Sequence, residues 1–375
     1  MWKWFLPNHK GVNCSAWRLF SSLMVCCALC SLLATSVFAT VTGPCADCHT
    51  MHNSQNGLST VVSGPTPSLL NNNCVGCHSG TNAGNGTPFV FNTGAPIYGE
   101  TGTENSTTTL AGGSFYWVND AAGGDAAGHN VEGLASADAT FPTPPGFGSG
   151  FAAADGTLVG NGGGWPANTQ VTCAGVYGCH GTHDQVDDVQ AVKGGHHSAA
   201  HGSVVPGSSP TSADSYRMLV GIAGYEDSDW EYTVSDGSID HNQYKGVDGP
   251  IGTDTSTIGY LCGECHGQFH QNTNSSSPWL RHPTDFDMAN STRADYAAYN
   301  GGTGANNPYS VITPVASVSI NAPLSVVTPD TANDDTIVTC ISCHRAHGTP
   351  YYKSLRWDYA NGIGGYCTNC HTSKN

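Results

Sequence analysis

Five copies of Cys-x-x-Cys-His punctuate the chain, at Cys45–His49, Cys74–His78, Cys262–His266, Cys340–His344 and Cys367–His371. Cysteines three apart lie on one side of a helical turn, where two sulfurs can bond the two vinyl groups on one porphyrin edge. The histidine that follows then turns beneath the iron as proximal ligand, so the pattern is the attachment signature of a c-type haem. A tetrathiolate zinc site shares the Cys-x-x-Cys half, but five repeats with His after every second Cys do not fit zinc.

Two further cysteines, Cys173 and Cys179, stand in CAGVYGCH, the same motif with two extra residues between the sulfurs. A local disulfide is the plain alternative. The retained His180 favours a sixth haem, with a peptide loop that bulges to take up the added length. Haem c, six copies, is the expected cofactor. The covalent attachments would be Cys45 with Cys48, Cys74 with Cys77, Cys173 with Cys179, Cys262 with Cys265, Cys340 with Cys343, and Cys367 with Cys370. No cysteine outside the first 39 residues is then left over.

That amino-terminal stretch reads as an export signal. Lys3, Lys10 and Arg18 precede an apolar run from Leu19 to Phe38, and Val37-Phe38-Ala39 ends in small residues at the recognition positions, which predicts cleavage after Ala39. The run is short and interrupted for a membrane anchor. Val25 and Leu29, before Cys26 and Cys30, do not suit a lipoprotein. Removal takes three of the 12 basic residues and none of the 28 acidic ones, so the formal charge moves from −16 to −19. Such a surface has the wrong sign for gripping nucleic acid.

The proximal histidines are His49, His78, His180, His266, His344 and His371. Ten others remain after processing: His52, His129, His183, His196, His197, His201, His241, His270, His282 and His347. Met51, Met218 and Met288 are too few to complete six irons, so bis-histidine ligation is expected, with no open coordination position. His52, His183, His270 and His347 follow a proximal histidine by three or four residues. From there a side chain cannot reach round its own haem, so each should ligate a different one and draw two porphyrins together; contact with a haem propionate or solvent is the plain alternative. For His196, His197 and His201, in GGHHSAAH, metal binding or simple solvation is an equal alternative.

Apolar residues make up 38% of the chain and 48 residues are Gly, too little for a large aliphatic core. The expected fold is a single multihaem cytochrome c domain over 40–375, mostly coil with short helices and few short strands, organised around a chain of stacked haems. Each attachment site should carry a helical turn. Further helices are expected over Ser212 to Val220 and near Thr292 to Tyr299, where Thr292 and Asp295 resemble a capping box. Short strands are expected in Val311 to Val327, broken by Pro314 and Pro323. Tyr116, Trp117, Trp165, Trp279 and Trp357 should pack on porphyrin, and His183 to Asp188 reads as a solvated turn.

The arrangement resembles the OmcS-type family, hexahaem cytochromes that polymerise into extracellular nanowires. CADCHTMHNS, CVGCH, FYWVN, GHNV, WPANTQVTC, YRMLVGIAGY, LCGECHGQFH, LRHP, CISCHRAHG and CTNCH carry the likeness in order along the mature chain. The resemblance implies distal roles for His52, His129, His183, His270, His282 and His347. It also implies that His52 crosses to the next subunit and ligates the haem held by Cys340 and Cys343. The third-site spacing and the stretch His196 to His201 depart from the family pattern.

The implied function is a secreted, cell-surface filament that carries respiratory electrons to external acceptors by haem-to-haem hopping. Its partners would be copies of itself, other exported cytochromes and those acceptors, with no substrate-turnover enzymology. The competing readings are a soluble periplasmic or surface electron carrier and a multihaem reductase with one open iron.

Overall fold

The structure is a computed structural model. It describes residues 41–372 except 42, 56–57, 60, 62–65, 85, 98–108, 120–122, 148–163, 199–201, 250–251, 271–281, 283, 292–298, 300–307, 331 and 360–365; residues 1–40 and 373–375 and the side chains of Gln55 and His270 are likewise outside it. The export signal, Trp279, His201 and nearly all of the helix expected near Thr292 therefore lie outside the described residues. The chain divides into Met1–Phe38 and a second compact unit, Ala39–Asn375. Among the described residues no helix is long and apolar enough to cross a membrane.

Regular structure is sparse and sits where the cysteines are. In four motifs the histidine N–H donates to the first cysteine's carbonyl and closes a single turn: His49 to Cys45 at 2.8 Å, His78 to Cys74 at 2.8 Å, His344 to Cys340 at 3.0 Å, His371 to Cys367 at 2.9 Å. Local contacts support these turns. At the first, the Cys48 carbonyl accepts from Asn71 N–H at 2.9 Å, which ties the turn to the segment that follows Leu70. Asn73 accepts from the Gly76 N–H ahead of Cys74–Cys77, and at Cys340–Ser342 the Ser342 hydroxyl accepts from the Thr339 N–H at 3.0 Å. The motif at Cys262 is built into the longest described helix, Ile258–His266, where the Thr257 hydroxyl accepts from Tyr260 N–H at 3.1 Å.

The third site is not helical. Thr172–Ala174 and Gly178–His180 pair as short parallel strands, joined by a loop that turns at Gly175 with φ +87°. A Cβ on Gly175 would stand 2.5 Å from the Gln185 carbonyl oxygen, so only glycine fits this corner. The two extra residues are absorbed as a strand pair with a tight loop.

Other elements are two- and three-residue strands, the largest sheet pairing Gly202–Val204, Gly224–Glu226 and Gln243–Tyr244 antiparallel. Two expectations fail besides the helical turn at the third site. Ser212 to Val220 holds two 3-10 turns, Ser212–Asp214 and Tyr216–Met218, because Arg217 and Met218 are left-handed at φ 49° and 59°. Val311 to Val327 makes isolated bridges only, Ala316 to Ile337, Lys245 to Ser317 and Pro308 to Val326. Its prolines remove ladder donors.

The apolar packing is divided into patches, each lying against attachment cysteines. Tyr299, Tyr309, Val311, Ile312, Val315 and Trp357 pack beside Cys343, Cys367 and Cys370. Tyr216, Ile222, Tyr244 and Ile337 pack beside Cys179, Phe115, Val118 and Val131 beside Cys173, and Trp165 beside Cys265. The sequence's shortage of aliphatic residues is thus met by small clusters around the sites.

Candidate metal centres

Five proximal imidazoles are oriented by backbone carbonyls. The Nδ1–H of His49 donates to Ser68 O at 2.8 Å, His78 to Pro88 O at 2.8 Å, His180 to Arg217 O at 2.9 Å, His266 to Pro145 O at 2.7 Å and His344 to Lys353 O at 2.7 Å. A proton fixed on Nδ1 leaves the Nε2 lone pair free for a metal.

Three of these carbonyls come from one recurring device that sequence reasoning missed. Ser68-Leu69, Arg217-Met218 and Lys353-Ser354 are each a tandem pair of left-handed residues, with φ between 49° and 61°. The first residue of each pair accepts from the proximal Nδ1–H. The second accepts from the N–H that follows the proximal histidine: Thr50 to Leu69 at 2.7 Å, Gly181 to Met218 at 2.8 Å, Arg345 to Ser354 at 2.9 Å. A leucine follows each pair, Leu70, Leu219 and Leu355, and forms a bridge at or beside the same histidine. That Leu after an unremarkable dipeptide is the only sequence trace.

Each of five proximal histidines has a second imidazole opposite it. Ring centroids stand 6.3 Å apart for His49 and His197, 6.1 Å for His78 and His196, 6.4 Å for His180 and His347, 6.0 Å for His266 and His129, and 6.0 Å for His371 and His282. Metal–imidazole bonds of about 2 Å from both sides place two ring centroids about 6 Å apart. The residues present therefore fit an iron held between two imidazoles. Burial lowers the pKa of His180 and His196 and brings His347 down to about 3, which keeps these rings in the neutral form that ligates.

His344 and the exposed His52 make no ring contact among the described residues. Of the other expected distal residues, His129, His282 and His347 stand in the pairs above. His183 is buried, with Nε2 3.2 Å from Gly178 O and 3.9 Å from Glu264 Oε2. His270 has its side chain outside the described residues. The partners of His49 and His78 are instead the adjacent His197 and His196. His241 is buried in protein packing, stacked on Tyr309 at 3.8 Å with its Nε2 3.1 Å from Leu324 O.

All twelve cysteines of the six motifs are free thiols: Cys45 and Cys48, Cys74 and Cys77, Cys173 and Cys179, Cys262 and Cys265, Cys340 and Cys343, Cys367 and Cys370. Cys173 and Cys179 thus form no local disulfide, and Cys45 and Cys77 are exposed while Cys48 is half-buried. Neighbouring sites touch. Cys74 of the second meets Cys173 of the third, with Asp188 alongside: all three ligand atoms lie within 4.8 Å of one another. Asp188 is only half-exposed, so the stretch from His183 is more than a solvated turn; burial raises this carboxyl. His129, opposite the fourth site's His266, donates from Nδ1 to Ala346 O at 2.5 Å, between His344 and His347. Cys343 of the fifth site packs in the same cluster as Cys367 and Cys370 of the sixth.

Repeated cysteine-histidine turns, with a second imidazole across most of them at the spacing of one metal, define a multihaem c-type cytochrome whose cofactor is haem c and whose work is electron transport. The relatives agree. Residues 332–375 match the family model for the doubled CXXCH motif. The chain is 26% identical over 403 residues to C-type cytochrome OmcS of Geobacter sulfurreducens, an alignment covering 90% of this chain and 85% of that protein. In sequence the chain is thus similar to an OmcS cytochrome along most of its length. Two solved structures are similar at 22% identity: the outer membrane cytochrome S filament of Geobacter sulfurreducens (TM-score 0.43, covering 85% of this chain and 84% of that one) and the OmcS nanowires of the same organism (TM-score 0.45, 84% of each).

Proposed function

We propose that this cytochrome is exported and polymerises head to tail into a cell-surface filament that passes respiratory electrons to external acceptors by haem-to-haem hopping. One observation carries the reading: among the described residues one proximal histidine, His344, and one exposed histidine, His52, make no ring contact. A donor on one face and an acceptor on another make a heterologous contact, and such a contact that does not close generates an open chain. His52 of one subunit ligates the iron held by Cys340 and Cys343 of the next. Met51 and Leu58 beside it are 75% and 74% exposed, apolar surface suited to being covered by the neighbour.

Within a subunit the distal ligands are His197, His196, His347, His129 and His282, for the first, second, third, fourth and sixth haems in that order. His196 and His197 thereby take the place of His183 and His270 in the set that the resemblance implies. When bound, haem c supplies the reversible one-electron couple; the chain's part is to fix two neutral imidazoles on each iron and to set successive sites side by side. The filaments of the OmcS relative support the same assembly.

Cryo-electron microscopy of the protein released from cells, wild type beside His52→Ala, tests this. Filaments in the wild type, and discrete particles with one newly high-spin haem in the variant, are expected. Intact filaments of His52→Ala with every haem low-spin would overturn the cross-subunit ligand. Discrete wild-type particles with one high-spin haem would favour a reactive open iron at His344, as a reductase requires.

A further inference from the structure

The mature chain is strongly acidic, yet three of its few basic residues, Arg345, Lys353 and Arg356, fall within thirteen residues of His344. Two are buried: Arg345 is 3% and Arg356 is 1% exposed. The Arg356 guanidinium donates from Nε to Ile341 O at 2.7 Å and to His344 O at 3.3 Å, and from Nη1 to Val311 O at 3.0 Å. Ile341 and His344 belong to the fifth motif itself. Each of these partners is a neutral backbone carbonyl. Protein atoms cover the guanidinium, so its charge sits behind the motif, fixed and shielded from salt.

We propose that Arg356, backed by Arg345, raises the reduction potential of the fifth haem and makes it a site where an electron rests within each subunit. One electron entering takes ferric iron to ferrous and removes one positive charge from the site, with no proton needed. A nearby buried cation disfavours the ferric state more than the ferrous one, and the effect is large where water does not screen it. Burial and the charge of Arg345 lower the pKa of Arg356, while the buried Glu231 and the phenols of Tyr244 and Tyr309 oppose that shift. By contrast the fourth motif carries a buried carboxylate, Glu264, between its cysteines. The inference rests on haem c at Cys340 and Cys343 and not on polymerisation, so loss of the filament reading leaves it standing.

The test is a mediated spectroelectrochemical titration of the haem-loaded mature protein. Wild type is compared with Arg356→Gln and Arg356→Lys in the same assembly state, with haem content checked by intact mass. In Arg356→Gln about one sixth of the haem absorbance should titrate lower, its reduced-to-oxidised ratio falling about tenfold at fixed potential, which is 59 mV for a one-electron couple. Arg356→Lys keeps the charge and should titrate as wild type. An unmoved curve in Arg356→Gln overturns the proposal, and so does an equal shift in both variants, which would indicate lost packing and not lost charge. Should Arg356→Gln fail to load six haems, Arg345→Gln takes its place, with a smaller downward shift of the same haem expected and an unmoved curve counting against the proposal.

Discussion

His347 stands against His180, with 6.4 Å between ring centroids and 42° between ring planes, and not against His344, three residues before it. A side chain three residues beyond a proximal histidine lies on the same side of the local turn, so its reach is outward to another site. One short segment, 344–347, thereby carries both the histidine of the fifth motif and the ring that faces the histidine of the third.

Alanine in place of His196 or His197 should convert one low-spin haem to high-spin in each variant, whereas His183→Ala should keep all haems low-spin. Electron paramagnetic resonance and the visible absorption of the oxidised protein read this directly. A high-spin signal in His183→Ala, with the other two unchanged, would restore the ligand set implied by the resemblance.

Intact mass of the mature protein should count six haems. Replacing Cys173 and Cys179 together by Ser should remove one. A count of five in the wild type would remove the third site from the electron path.

The tandem left-handed turns make a stability prediction. Lys353→Gly should be tolerated, because glycine adopts φ 61° freely. Lys353→Val should cost about 1–2 kcal/mol, since a β-branched residue is a genuine outlier there. Thermal unfolding followed at the haem absorbance measures both. Equal midpoints would show that the turn gives way at no cost.

Burial raises the Asp335 carboxyl from 3.8 to about 6 while Thr328 N–H donates to its Oδ1 at 3.1 Å. The fold therefore favours the neutral acid. Its contribution is fully present below pH 3.8 and is lost as pH rises through about 6. Stability should fall between pH 5 and pH 7, by about 1 kcal/mol once solvent screening is allowed for. Asp335→Asn keeps the acceptor and should flatten that fall; denaturant titration at the two values would show an unchanged slope if Asp335 is not responsible.

The attachment turns were legible in the sequence because their chemistry is local: one histidine N–H reaches one cysteine carbonyl four residues back. Partner choice was not, since whether His183 or His197 faces a given site depends on how distant segments pack. Ser68, Arg217 and Lys353 were hidden for another reason. Glycine or asparagine ordinarily marks a left-handed corner, and none stands there. The helix expected over Ser212 to Val220 failed at the same point, where helical propensity gave way to a carbonyl that His180 needs.

The pairing of His180 with His347 also bears on the order in which the molecule can be completed. Synthesis runs from the amino end, so on the proposed ligation each of the first three motifs is made before its second imidazole, His197, His196 and His347 respectively. The third waits longest, through nearly half the polypeptide. On that ligation, a haem held at Cys173 and Cys179 would have its second imidazole only once 344–347, the segment that also carries the fifth motif's histidine, had been made.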